Sequence, residues 1–153
     1  MFLFNKHFYL ILVLFFNQIL VYAEEKPYSK KELKSGSSFS KEETRAIEND
    51  DFSNPGMIWV EKGEEIYNSP EGINNTACAD CHNKSTNSLV GVAVSYPKID
   101  KTSNLLVNIE QKINLCRKNK MKVKAYERES DSLLSLSTYI AFLSKGKPMN
   151  VRI

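Results

Sequence analysis

Long apolar runs are scarce in this sequence. The longest, Phe8–Phe16 (FYLILVLFF), is followed at once by Asn17 and Gln18. That is well short of the roughly 20 apolar residues a membrane-spanning helix needs, so a single membrane anchor is disfavoured. Histidine is almost missing, with only His7 and His82. Cysteine is limited to Cys78, Cys81 and Cys116, and an odd number cannot be wholly consumed by internal disulfides. No segment repeats, and no stretch reads convincingly as a strand, which removes the βαβ setting that a thioredoxin-like C-x-x-C requires. Charge of one sign is not in large excess either. The formal net charge of +3 is too mild to argue for nucleic-acid binding.

What is present sorts into three regions. Residues 1–23 have a basic start (Lys6), an apolar centre and small residues at Val21 and Ala23 before Glu24. This pattern predicts a secretory signal peptide cleaved near Ala23, and hence an exported, periplasmic protein. Export sharpens the odd cysteine, because free thiols in an oxidising compartment tend to pair. Residues 24–49 predict a flexible leader, charged and poor in apolar side chains over Glu24–Phe39. It ends in a short helix to about Glu48, opened by a capping box from Ser40 to Glu43.

Residues 50–153 predict one all-α domain. Asn54 and Pro55 start a helix to about Asn68, with Trp59, Gly63, Ile66 and Tyr67 along one face. Gly63 weakens a helix, so its presence suggests close packing against another. Asn68–Thr76 is a turn-rich connection, and Asn83–Asp100 reads as irregular backbone, extended at Tyr96 before Pro97. A third helix over about Leu105–Lys118, capped by Ser103 or Asn104, sets Leu106, Ile109, Ile113 and Cys116 on one apolar stripe. A last helix over about Asp131–Ser144 carries Leu133, Leu134, Leu136, Ile140 and Leu143, with Gly146 as C-cap and Pro148 beyond. The Lys-rich stretch Lys112–Lys124 reads as a solvated helix end and loop. Its sharper reading is a docking surface for an acidic partner.

The chemistry centres on CADCH at 78–82. C-x-x-C-H is the attachment signature of c-type haem, with both thiols adding to one edge of the porphyrin and the histidine facing the iron. Cys78 and Cys81 would form the thioethers and His82 the proximal ligand. A zinc site formed by the three cysteines and His82 has the right number of N/S ligands, and a Cys78–Cys81 disulfide would leave His82 without a role. For the distal position Met57, Met121 and Met149 compete with Cys116. Methionine would raise the potential; a thiolate, as an anionic donor, would favour ferric iron. A buried thiol can also be an inert small apolar residue.

The chain resembles the SoxA subunit of the SoxAX cytochromes of bacterial sulfur oxidation. The resemblance is carried by NPGMIWVEKGEEIY (54–67), CADCH (78–82), GVAVSYPKID (91–100), INLCR (113–117) and SLLSLSTYIAFLSKGKP (132–148). It implies a class I-like cytochrome c domain with one covalent haem c, Cys78 and Cys81 as thioethers, His82 as proximal ligand and Cys116 as distal ligand. It further implies a SoxX cytochrome partner, the SoxYZ carrier protein and a cytochrome electron acceptor. The family's complex oxidatively joins thiosulfate to a cysteine of SoxYZ. Its diheme members hold the catalytic haem in a second domain, which has no counterpart in these residues. The expectation is therefore the N-terminal, non-catalytic haem half, with no catalytic residue of its own. The alternatives are a scaffold half of a split SoxA and a free-standing monohaem electron carrier.

Overall fold

The computed structural model describes residues 34–82 and 86–151. The proposed signal peptide and most of the leader lie outside them. The chain divides into two units between Arg45 and Ala46. Gly36–Phe39 forms a 3-10 turn, and helix α1 spans Glu42–Asn49. It begins two residues after Ser40, with the Arg45 amide donating to the Lys41 carbonyl at 3.0 Å.

The second unit is built around two helices. Helix α2 (Met57–Asn68) starts later than Pro55. The Asn54 side chain accepts from the Gly56 amide at 2.9 Å, which makes Pro55–Gly56 a turn leading into the helix. Its buried residues are Val60, Gly63 and Tyr67. The second and third lie on the expected face; Val60 takes the place expected for Trp59, which is half-exposed. Helix α5 (Asp131–Phe142) is capped by Ser130, which accepts from the Leu133 amide. It buries Leu133, Leu136, Tyr139 and Ile140 against α2. A Cβ on Gly63 would lie 2.1 Å from the Ser135 carbonyl oxygen, so the glycine is what lets the two backbones cross this closely. The rings of Tyr67 and Tyr139 meet beside it at 5.4 Å between centroids.

The short helix α3 (Cys78–His82) holds the motif. Asp80 turns back to accept from the Ala77 amide at 2.8 Å, which fixes the first turn, and Ala79 packs into the core. The chain then forms 3-10 turns at Thr86–Leu89 and Ala93–Ser95.

The expectation that strands are absent is corrected. Strands β1 (Lys98–Ile99) and β2 (Leu106–Val107) pair antiparallel, Lys98 with Val107 and Ile99 with Leu106. The turn between them is tied by Asp100, whose carboxylate accepts from the Thr102 and Ser103 amides and from Lys112 at 2.5 Å. Pairing two residues at a time leaves too little alternation to be seen in sequence.

This ladder takes Leu106 out of the third helix, leaving it 52% exposed. Helix α4 is Ile109–Cys116, opened by a reciprocal capping box between Asn108 and Gln111. Asn104, expected as a possible cap, instead takes a left-handed turn conformation, φ +54. After Cys116 the chain widens into a π-helical turn, Arg117–Met121, closed by left-handed Lys122. Met121 is therefore buried rather than in an open loop. Among the described residues no helix is long and apolar enough to cross a membrane.

Candidate functional site

Helices α2, α3, α4 and α5 and the 3-10 turns enclose a cavity of about 310 Å³. This is the lower end of the size range of small-molecule and cofactor sites. Cys78, Cys81 and His82 line it from the motif helix, and Cys116 lines it from α4. The remaining walls are mainly apolar, from Leu89, Val92, Ile109, Ile113, Leu136 and Ile140, with Tyr67 and Tyr96. The structure thus brings all four expected site residues to one space. Ile109, Ile113 and Cys116 follow the i, i+4, i+7 spacing of a single helix face.

Of the methionines weighed for the distal position, Met121 also lines this cavity. Met57 packs elsewhere against the core, and Met149 is 67% exposed. The three thiols are unpaired. Among the described residues no three His, Cys, Asp or Glu side chains gather as a metal cluster would. An apolar slot with two thiols and an imidazole on one helix and a further sulfur donor across it fits a porphyrin. Its faces would be covered by aliphatic side chains and its iron approached by His82 and a sulfur.

Burial shifts the ionisable groups of the site in different directions. Burial lowers the pKa of His82, so its imidazole is neutral and has a free nitrogen lone pair at neutral pH. Burial pushes the Cys78 thiol up to about 11, with Arg117 pulling the other way. It also raises Cys116, where Lys112 opposes the shift. The Ser88 hydroxyl donates to the His82 carbonyl, holding the end of the motif helix. Tyr96, on the opposite wall, is pushed up to about 12 by burial and keeps its proton.

One feature of the site has no signal in the sequence. Arg117 lines the cavity and is 4% exposed. Its guanidinium donates to both carboxylate oxygens of Glu71, at 2.8 and 2.9 Å. Tyr126 stacks on it at 3.4 Å and donates its hydroxyl to Glu71 at 2.7 Å. The Arg117 hydrogen bonds hold the Glu71 carboxyl below its ordinary value. Burial works most strongly against the Arg117 charge, but Glu71, Tyr126 and Cys78 together outweigh it.

The family described as SoxA/TsdA, cytochrome c domain, matches residues 62–149. The L-cysteine S-thiosulfotransferase subunit SoxA of Rhodovulum sulfidophilum is 34% identical over 122 residues, 80% of this chain and 42% of that protein. Its counterpart in Pseudaminobacter salicylatoxidans is 38% identical over 117 residues, 76% of this chain and 41% of that protein. The crystal structure of SoxXA from P. pantotrophus superposes with a TM-score of 0.72 at 31% identity, covering 79% of this chain and 46% of that one. The chain spans about two fifths of the length of the curated relatives it matches.

Proposed function

Because this chain belongs to the SoxA/TsdA cytochrome c domain family, we propose that it is a SoxA-type, c-type cytochrome domain of a periplasmic thiosulfate-oxidising complex, carrying one covalent haem c. Cys78 and Cys81 form the thioethers, His82 is the proximal ligand and Cys116 the distal ligand. The observation that carries this reading is that the motif helix and Cys116 face one apolar cavity. The sequence has one C-x-x-C-H motif, hence one haem. Residues 1–23 act as the signal peptide, residues 24–49 as the leader and residues 50–153 as the haem domain.

The haem supplies one-electron exchange when bound. The chain's residues set its terms. His82, neutral through burial, donates a nitrogen. Cys116 donates an anionic sulfur that stabilises the ferric state and lowers the potential relative to a methionine site. Leu136, Ile140 and Ile113 keep water from the cavity walls. The partners are SoxX and, through the complex, the SoxYZ carrier and a cytochrome acceptor.

The test is ferric EPR and optical spectroscopy of the holoprotein and its Cys116→Met variant. A thiolate-type low-spin signal that the variant loses is expected. An unchanged signal would remove Cys116 as the ligand and leave Met121, the other sulfur on the cavity wall.

A further inference from the structure

The buried group around Arg117 joins three segments that are distant in sequence. The first is Glu71–Gly72, which runs into the motif helix. The second is the end of α4, where Arg117 follows Cys116 directly. The third is 123–126. The Arg117 Nε donates to the Lys124 carbonyl at 3.1 Å. Asn114 of α4 locks the third segment from both sides, accepting from the Tyr126 amide at 2.8 Å and donating to its carbonyl at 3.1 Å. Gly72 closes the knot. It has φ +73, and a Cβ there would lie 2.4 Å from Val123 Cγ1, so the first segment sits directly on the third.

A buried ion pair adds little net stability over apolar packing, so stability alone does not explain why an arginine stands here. Position does. The guanidinium fork fixes direction as well as distance. It fastens the residue after Cys116 to the strap that leads into Cys78. Arg117 also opens the π-helical turn that ends at Met121, and Met121 faces the same cavity. Two sulfur donors thus sit at the two ends of one turn whose first residue is clamped.

We infer that the Arg117–Glu71 pair is a positioning device that presents Cys116, rather than Met121, to the cofactor. This rests on Cys116 being the distal ligand. Neither Arg117 nor Glu71 touches the iron in this scheme; they act through Cys116 and the turn behind it. Functional ligands are held to within about 0.5 Å by such supporting contacts, and loosening this one gives the turn freedom to offer its other sulfur.

The experiment uses holoprotein carrying Glu71→Gln and, separately, Arg117→Lys. Glu71→Gln keeps the shape but removes the charge. Arg117→Lys keeps the charge but loses the fork. Ferric EPR should show partial loss of the thiolate low-spin signal in both, with a second species appearing and the midpoint potential moving upward. That second species should disappear when Met121→Leu is added. A full wild-type signal in folded Glu71→Gln or Arg117→Lys protein would overturn the inference. So would a second species that persists with Met121→Leu. Should Arg117→Lys not fold, Glu71→Gln, at a partly exposed position, carries the same test. An unchanged spectrum in Cys116→Met would instead refute the ligand assignment on which the inference rests, which separates the two failures.

Discussion

Gly63→Ala tests the helix crossing that builds one wall of the cavity. The added Cβ would lie 2.1 Å from the Ser135 carbonyl oxygen and 2.6 Å from Tyr139 Cβ. Neither neighbour can swing aside, since one is backbone and the other the root of a side chain. The helices must therefore separate by about 1.4 Å at the carbonyl, and about 0.9 Å at Tyr139 Cβ, to reach ordinary contact near 3.5 Å. A gap of that size forfeits roughly half or more of each dispersion contact across it, and forced overpacking of this kind costs about 1–3 kcal/mol. Alanine returns up to about 1 kcal/mol through better helix propensity, which is the smaller effect because α2 and α5 form the principal helix contact. A net loss of about 2 kcal/mol is expected, or a fall of roughly 10 °C in Tm for a domain of this size. Thermal melts of the holoprotein by circular dichroism read it directly. Glu61→Ala, exposed on the same helix, is the control and should stay within about 0.5 kcal/mol of wild type. Tyr67, Leu136 and Ile140 line the cavity from these two helices, so the ferric spectrum should change with the melt. A Gly63→Ala protein that melts at or above wild type would refute the close crossing.

Acid stability should carry the signature of Asp100. The hydrogen bond from Lys112, followed by that from the Ser103 amide, holds its carboxyl at about 2 instead of 3.8. A depressed pKa stabilises the fold while the group is ionised, and the contribution is lost as pH falls from 3.8 towards 2. The stability gap between wild type and Asp100→Asn, measured by urea unfolding, should therefore be constant above that window and shrink within it; a gap that is independent of pH would contradict the assignment. Intact mass spectrometry of exported protein should give a chain beginning near Glu24 and heavier by one haem. An apo mass would remove the cofactor from the reading.

The parts of the fold that were visible in the sequence are those whose signal is local and repeated. Helix α5 shows it best, since leucines at helical spacing need no knowledge of the rest of the chain. Gly63 was readable for the opposite reason: a residue that weakens its own helix must be repaid by a neighbour, and Ser135 and Tyr139 are that neighbour. The start of α4 was misplaced because Leu105 and Leu106 have the same apolar character whether they extend a helix or pair in a strand. What decides between these is Asp100, which gathers the Thr102 and Ser103 amides and Lys112 into a turn. The Asn108–Gln111 box then starts the helix at Ile109, four residues later than Leu105. The pairing of these groups through space, rather than any apolar period around Leu106, sets the boundary.

The site divides in the same way. C-x-x-C-H states its own chemistry, because the spacing of the two thiols and the imidazole is the requirement itself. Cys116 needed two further facts, an apolar stripe on α4 and an odd thiol count, and the stripe holds for Ile109, Ile113 and Cys116 although not for Leu106. Arg117 left no trace, since a basic residue at the end of a helix ordinarily points to water and complements the helix dipole. Only the return of Glu71 and Tyr126 from elsewhere in the chain buries it. The consequence is that the residue types of this cavity alone do not choose between Cys116 and Met121, because both sulfurs reach it. On the proposed reading, selection comes from what fixes the turn between them, and the one buried charge on that turn is Arg117.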